Sequence, residues 1–248
     1  MATSLLAPAH VDYPSSDGRP MAESDHQRTP LTYAVDRLRH HFRDRDDVYV
    51  SGNLLIYYEE GNVGARVAPD VFVVVGAPNR DRSSYLLWNE PKGPDFVLEI
   101  TSRRTYREDQ GRKRELYRSL RVQEYWQYDP TQDYLRPPLQ GLELIGEEYR
   151  RLPSRSLRDG TLALASRVLG LELRLMESGL RFHDPATGRD LQDLAETDAA
   201  RQRAEQERAA AETRLAQEAA AREAAEARVA RLEALLRQGP GSDSGGSG

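Results

Sequence analysis

The sequence contains two runs that predict buried strands, Pro69-Asp70-Val71-Phe72-Val73-Val74 and Pro94-Asp95-Phe96-Val97-Leu98-Glu99-Ile100. Both are short, rich in β-branched and aromatic residues, and bounded by proline. A carboxylate inside such an apolar strand is costly unless something pairs with it. Side chains that face each other on adjacent strands have Cβ atoms about 5 Å apart, so Asp70 and Glu99 are expected to converge if these strands are neighbours.

Asp95 is the competing partner for Glu99, since it also follows a proline. Four residues at about 3.3 Å each would separate Asp95 and Glu99 by about 13 Å along one strand, which is too far to share an ion. Asp95 is therefore interpreted as a strand-start residue. Two interpretations of Glu99 stay open: an acid that pairs with a nearby arginine, or a ligand for a hard divalent cation, which prefers oxygen.

Residues 107–120 are predicted to form a helix whose packed face carries Lys113, Leu116, Tyr117 and Leu120, spaced i, i+3, i+4 and i+7. A lysine is unusual on such a stripe. Either its stem is buried while the amine reaches water, or the amine meets the carboxylates of the strands.

A local excess of positive charge surrounds this helix. Residues 101–122 hold eight basic and three acidic residues, so the segment is +5 in a chain whose formal charge is −5. Such a stripe beside paired acids is what a phosphodiester substrate needs. The alternative is a solvated helix in which the acids balance part of the basic residues. The other helix face carries Arg107, Arg114, Arg118 and Arg121.

Composition divides the chain into four parts. Residues 1–30 predict a disordered arm, and residues 31–183 predict an α+β domain with a mixed central sheet and a β-rich extension. Residues 190–238, rich in Ala, Glu, Arg and Gln, predict a long charged helix, and 239–248 a flexible Gly/Ser tail. Heptad steps through Leu215 are apolar at only four of seven positions, so the helix is expected to pair weakly at most, around 229–236.

Several classes of protein are excluded by composition. The 248 residues include no cysteine, which excludes disulfides, thiolate metal sites and a cysteine nucleophile. No apolar run approaches the roughly 18 residues of a membrane helix, and the first 30 residues lack the features of a secretory signal. A soluble cytoplasmic protein without a membrane partner is therefore the expectation.

Residues 31–183 resemble the Uma-type family of restriction endonucleases, within the PD-(D/E)xK nuclease superfamily. Several ordered motifs together make this resemblance specific. Besides the two strand motifs, the second of which continues into Thr101-Ser102, they are Ser51-Gly52-Asn53-Leu54-Leu55-Ile56-Tyr57-Tyr58, Arg107-Glu108-Asp109-Gln110-Gly111-Arg112-Lys113-Arg114-Glu115-Leu116-Tyr117 and Glu124-Tyr125-Trp126-Gln127-Tyr128-Asp129-Pro130.

The resemblance implies a restriction-endonuclease-like fold, a mixed sheet flanked by helices. It implies that Asp70 and Glu99 bind Mg²⁺ or Mn²⁺, with the carbonyl of Ile100 as a further ligand. The superfamily places a lysine two residues after the glutamate, where this chain has Thr101. In this family the lysine comes from the following helix, and Lys113 occupies that position.

The predicted function is a metal-dependent endonuclease acting on DNA, with Asp70, Glu99 and Lys113 as catalytic residues. Arginines on the basic stripe are expected to grip phosphates that flank the cleaved bond, and a homodimer would supply two sites for two strands. One alternative is a catalytically silent adaptor that binds a partner protein through the C-terminal helix. Another is a structural protein whose buried acids pair with arginines. The predicted substrate-binding residues are Arg103, Arg104, Arg107 and Arg114.

Overall fold

The structure is a computed structural model that describes residues 11–16, 24–192 and 194–237. Much of the predicted arm, residues 1–10 and 17–23, lies outside the described residues, as does the predicted tail, residues 239–248. Contacts divide the chain into two units between Leu191 and Gln192. Each unit is described by itself.

A six-stranded mixed sheet forms the centre of the first unit, in the order β1-β4-β6-β7-β8-β9. All neighbours are antiparallel except β6 and β7, which run parallel. The parallel pair needs a crossover, and helical segment 106–119 between the two strands supplies it. The strands are β1 Val48–Ser51, β4 Val71–Val75, β6 Phe96–Ile100, β7 Glu124–Tyr128, β8 Leu139–Ile145 and β9 Glu148–Arg151.

Two smaller sheets flank the central one, a mixed sheet of three strands and an antiparallel sheet of five strands. A three-stranded sheet has the order β3-β2-β5, and the β-rich extension forms a five-stranded sheet in sequence order, β10 to β14. The first comprises β2 Ile56–Tyr57, β3 Arg66–Val67 and β5 Tyr85–Leu86, and the second comprises β10 Ser154–Ser156, β11 Leu162–Ser166, β12 Leu171–Met176, β13 Gly179–Asp184 and β14 Arg189–Asp190.

Alternation along β4 and β6 sends side chains to two separate cores. On one face, residues such as Val71, Phe96 and Leu98 pack with the first helix and with the five-stranded sheet. On the other face, residues such as Phe72 and Val97 pack with Tyr117 of the crossover and with the small sheet. Side chains at every second position of a strand share a face, so Glu99 lies on the crossover side with Val97. The predicted fold, a mixed sheet with flanking helices, a β-rich extension and a long C-terminal helix, is confirmed.

The first helix, α1, covers Asp25–His41, so it begins six residues before the predicted domain boundary. Pro30 lies inside it. As the sixth helical residue it lies beyond the first turn, so it removes the backbone hydrogen bond to the carbonyl of His26. Upstream, Tyr57 Oη donates a hydrogen bond to Pro14 O at 2.7 Å, and Tyr13 packs edge-on against Tyr57. Residues 11–16 of the predicted arm are therefore held against β2.

The described residues of the second unit form one helix, α4, Leu194–Arg237. Exposed Arg–Glu pairs four residues apart lie along it, for example Arg222 Nε to Glu226 Oε1 at 3.0 Å. Such pairs each add only a few tenths of a kcal/mol to helix stability. Pairing of α4 with a second helix stays a prediction. Within the described residues, no helix has the length and apolar character needed to cross a membrane.

Glu124 at the start of β7 links the central sheet to the extension, and its loss is expected to destabilise the first unit. Its buried carboxylate accepts hydrogen bonds from Trp126 Nε1 at 3.0 Å, Ser166 Oγ at 2.5 Å and the backbone N–H of Arg167 at 2.7 Å. Glu124→Gln replaces one acceptor oxygen by an NH₂ group that faces donors. We expect a loss of about 2–3 kcal/mol, measured by urea unfolding.

Glu143→Gln is the matched control for this substitution. Glu143 pairs with Arg167, whose side chain is 80% exposed, so its loss should change the unfolding free energy by less than about 0.5 kcal/mol. Equal stability of both variants would contradict the assigned role of Glu124.

Candidate active site

Asp70 and Glu99 face each other across two neighbouring strands, as predicted. β4 and β6 pair antiparallel with Val71 opposite Leu98, and continuing this register places Asp70 opposite Glu99. Asp70 is half-buried directly before β4, and its Oδ2 accepts a hydrogen bond from the backbone N–H of Ile100 at 2.6 Å. The two carboxylates therefore converge on the crossover side of the sheet.

Gly52 allows a loop to pass close to Asp70. A Cβ atom at Gly52 would lie 2.5 Å from the carbonyl oxygen of Asp70 and 2.7 Å from Val35 Cγ2. The next residue, Asn53, donates its N–H to Pro69 O at 2.9 Å. A side chain at Gly52 would displace the backbone that presents the first carboxylate.

Glu99 is only 1% exposed, and both of its oxygens are engaged. Lys113 Nζ lies 2.8 Å from Oε2, and Tyr117 Oη donates to Oε1 at 2.5 Å. Both partners come from the predicted packed face of the crossover helix. Of the two interpretations of Lys113, the structure supports the one in which its amine contacts the carboxylates, and not the one in which the amine reaches water.

The crossover contributes a further buried carboxylate, Asp109, which the sequence analysis counted among the acids of a solvated helix. It consists of α2 Tyr106–Glu108, a π-helical turn Asp109–Lys113 and α3 Arg114–Ser119. Asp109 is 1% exposed, and Lys113 Nζ lies 3.1 Å from its Oδ1. π-helical turns are rare and occur often at functional sites. The spacing of four residues between Asp109 and Lys113 was the signal available in the sequence.

Burial and neighbouring charges shift the pKa values of Asp70, Asp109 and Lys113. Burial raises the pKa of Asp70 well above its usual range, and the charge of Glu99 adds to the effect. Burial and Glu99 likewise raise the pKa of Asp109 to about 6. Burial alone would lower the pKa of Lys113, but Glu99, Asp109 and Asp70 together hold it above its ordinary value. These neighbouring charges therefore favour the protonated amine of Lys113.

The oxygen donors at this site are of the type that a hard divalent cation prefers. Asp109 adds a buried carboxylate beside this pair, and its Oδ1 forms an ion pair with Lys113 Nζ at 3.1 Å. Among residues 11–16, 24–192 and 194–237, no group of three or more His, Asp or Glu side chains has metal-holding geometry. The two facing carboxylates, Asp70 and Glu99, fit a divalent cation by the chemistry of their oxygen donors.

Asp95 has a structural role, as its position at the strand start predicted. Its carboxylate accepts hydrogen bonds from the Val75 N–H at 2.8 Å, Lys92 Nζ at 2.5 Å and Gln123 Nε2 at 2.8 Å. These contacts join the ends of three strands. Asp95 takes no part in the carboxylate cluster.

The basic stripe separates into paired and unpaired arginines. Arg103 and Arg104 are exposed in the turn before α2, Arg107 is exposed on α2, and Arg114 is half-buried at the start of α3. These four form no salt bridge with any described residue. Three others are neutralised, so the alternative of a balanced helix holds for part of the stripe. Their pairs are Arg112 with Glu108, Arg118 with Glu115, and Arg121 with Glu147.

A family model described as Uma2, "Putative restriction endonuclease", matches residues 8–175. The chain belongs to the Uma2 family. The match covers the central sheet, the crossover and most of the extension, and it confirms the resemblance found in the motifs. Uma2 membership supports a nuclease, and α4 lies beyond the matched residues.

One solved structure similar to this Uma2 chain is described as "a putative nuclease belonging to DUF820 from Anabaena variabilis". The two share 12% sequence identity with a TM-score of 0.43, over 61% of this chain and 76% of that chain. No curated protein matches the sequence.

Proposed function

We propose that the protein is a divalent-metal-dependent endonuclease that hydrolyses phosphodiester bonds in DNA. The observation that carries this proposal is the buried contact between Glu99 and Lys113, opposite Asp70 on the neighbouring strand. Membership of the Uma2 family supports nuclease chemistry. The unpaired arginines around the crossover support a polyanionic substrate.

Asp70 and Glu99 are the proposed cation ligands, with the carbonyl of Ile100 as a third. When bound, Mg²⁺ or Mn²⁺ lowers the pKa of a water molecule and neutralises phosphate charge. The N–H of Ile100 fixes the orientation of Asp70, and the hydroxyl of Tyr117 fixes that of Glu99. Both carboxylates are therefore positioned before any ligand arrives, which reduces the cost of ordering the site.

Lys113 is proposed to stabilise the extra negative charge that develops on the phosphate during attack. The surrounding carboxylates hold the pKa of Lys113 above its ordinary value, which favours the charged amine that this role needs. Arg103, Arg104, Arg107 and Arg114 are proposed to bind phosphates on either side of the cleaved bond. Such contacts make binding strongly dependent on salt concentration.

Cleavage of supercoiled plasmid at low salt tests the proposed function. We expect nicked circles with Mg²⁺ or Mn²⁺, none with EDTA, and none with Glu99→Gln in any buffer. Glu115→Gln is the matched control, because Glu115 lies on the outer side of the same crossover with a side chain 61% exposed. It should cleave like the wild-type protein.

Full cleavage by Glu99→Gln would contradict the assigned site. A wild-type protein that does not cleave, but whose melting temperature rises with millimolar Mn²⁺ when that of Glu99→Gln does not, would retain a metal site without the proposed activity. That result would favour the silent adaptor. Absence of both cleavage and a Mn²⁺ response would contradict the metal site and the nuclease together.

A further inference from the structure

A pocket of about 240 Å³ lies beside the carboxylate cluster, between the crossover and strands β7 to β9. We propose that this pocket binds one phosphate group of a nucleic-acid strand, a few nucleotides from the bond that is cleaved. The inference rests on the proposed function for the identity of the ligand. Three arginines line the pocket, and they come from three separate parts of the chain: Arg114, Arg136 and Arg151.

The charge of this pocket is uncompensated. No acidic residue is among those that line it. Arg114 and Arg151 form no salt bridge with any residue in the described part of the chain, and Arg136 donates only to main-chain oxygens, including Leu135 O at 2.9 Å. Arginines of the same crossover that lie away from the pocket, such as Arg112 and Arg118, are paired with glutamates. Guanidinium groups that converge without a carboxylate are suited to bind phosphate oxygens.

Strand register links the pocket to the active site. Glu99 on β6 pairs with Gln127 on β7, and Gln127 pairs with Gln140 on β8. Residues in register on neighbouring strands point to the same face, so these side chains form one polar row that begins at Glu99 and ends in the pocket. Strands lie about 4.8 Å apart, which places Gln140 roughly 10 Å from Glu99. Along one strand of a nucleic acid, phosphate charges recur about every 3.4 Å of rise. The distance from Glu99 to Gln140 therefore corresponds to a phosphate a few nucleotides from the cleaved bond.

Neutral groups complete the lining. The amides of Gln110, Gln127 and Gln140 offer N–H donors to an anion without adding charge. Tyr134 also lines the pocket and stacks on Tyr106 with ring centroids 5.2 Å apart. Aromatic side chains beside a cationic groove are a recurring element of single-strand binding. The composition of the pocket therefore favours a nucleic-acid strand over an isolated anion.

Binding measured without metal separates this inference from catalysis. Fluorescence anisotropy would follow a labelled single-stranded DNA oligonucleotide in EDTA at several salt concentrations, with wild-type protein and the double variant Arg114→Gln/Arg151→Gln. We expect the double variant to bind about 10-fold to 100-fold more weakly. Because both arginines contact one phosphate, the slope of log K against log salt should fall in magnitude by about one.

Arg112→Gln/Arg118→Gln is the matched control, since it removes the same charge from arginines that are already paired. It should weaken binding less than about threefold, and thermal melts should show that both variants are folded. Equal losses in the two double variants, unchanged binding in Arg114→Gln/Arg151→Gln, or no measurable wild-type binding would each overturn the inference. So would stabilisation by inorganic phosphate that depends on Arg114 and Arg151 while DNA binding does not. The double variant Arg114→Gln/Arg151→Gln could lose DNA binding while the wild-type protein never cleaves DNA. That result would contradict the proposed function and leave the assignment of the pocket standing.

Discussion

Replacing Lys113 by Met is expected to lower the rate of metal-dependent DNA cleavage by a factor of roughly 10²–10³. The substitution keeps most of the buried aliphatic stem but removes the only cation in contact with Glu99 and Asp109 among the described residues. Loss of a single group that stabilises developing charge in an active site has effects of this size. Initial rates of plasmid nicking at saturating Mn²⁺ would measure the change.

Lys92→Met is a matched control, because Lys92 is the other lysine of the chain. Its Nζ also contacts a buried carboxylate, at 2.5 Å from Asp95 Oδ1, but this pair lies in the loop before β6 and Asp95 takes no part in the carboxylate cluster. Cleavage by Lys92→Met should stay within about twofold of the wild-type rate at a temperature where both proteins are folded. Equal losses of activity in the two variants would indicate a general effect of destabilisation and contradict the assignment of Lys113.

The facing carboxylates could be predicted from sequence because their positions follow from local pattern. A proline, an acid and a run of β-branched residues define β4, and the same elements define β6. Strand periodicity then fixes which side chains share a face. Lys113 was predictable for a similar reason, since helical spacing with Leu116 and Tyr117 placed it on the packed face. Local periodicity thus predicted the facing carboxylates and the lysine that contacts Glu99.

Asp109 was missed even though regular helical spacing places it on the same face as Lys113, because an acid among arginines favours a solvated position. Its main-chain carbonyl is held by Tyr125 Oη at 2.8 Å, a contact between residues sixteen positions apart. Burial of Asp109 is thus decided by tertiary packing, which the local pattern does not contain.

The arginine pocket was beyond sequence reasoning for a topological reason. Arg114 stood out as part of a basic stripe, but Arg136 and Arg151 follow it by 22 and 37 positions. They reach the same pocket only because β7, β8 and β9 form an antiparallel meander beside the crossover. Long-range strand register therefore brings together charges that no sequence window would join.

Asp109→Asn is expected to stabilise the metal-free protein at pH 8 and to leave its stability nearly unchanged at pH 4. The pKa of Asp109 rises from 3.8 to about 6 on folding, so the folded state favours the protonated acid. The associated stability is fully present below pH 3.8 and is lost as the pH rises through about 6. Asparagine resembles the neutral acid at every pH. A shift of this size corresponds to about 2–3 kcal/mol above pH 7, or a melting temperature higher by roughly 5–10 °C.

Thermal melts in EDTA at pH 4, 6 and 8 would measure this difference, and it should grow across that range. Besides burial, the groups that shift the pKa of Asp109 are Glu99, which raises it, and Lys113 and the Thr105 hydroxyl, which lower it. Asp81→Asn, at an exposed position, should show no difference at any of these pH values. A variant that is less stable than wild type at pH 8 would mean that the ion pair with Lys113 outweighs the cost of burying the charge. In that case the charged form of Asp109 would stabilise the folded protein through Lys113, and burial of its charge would not cost stability.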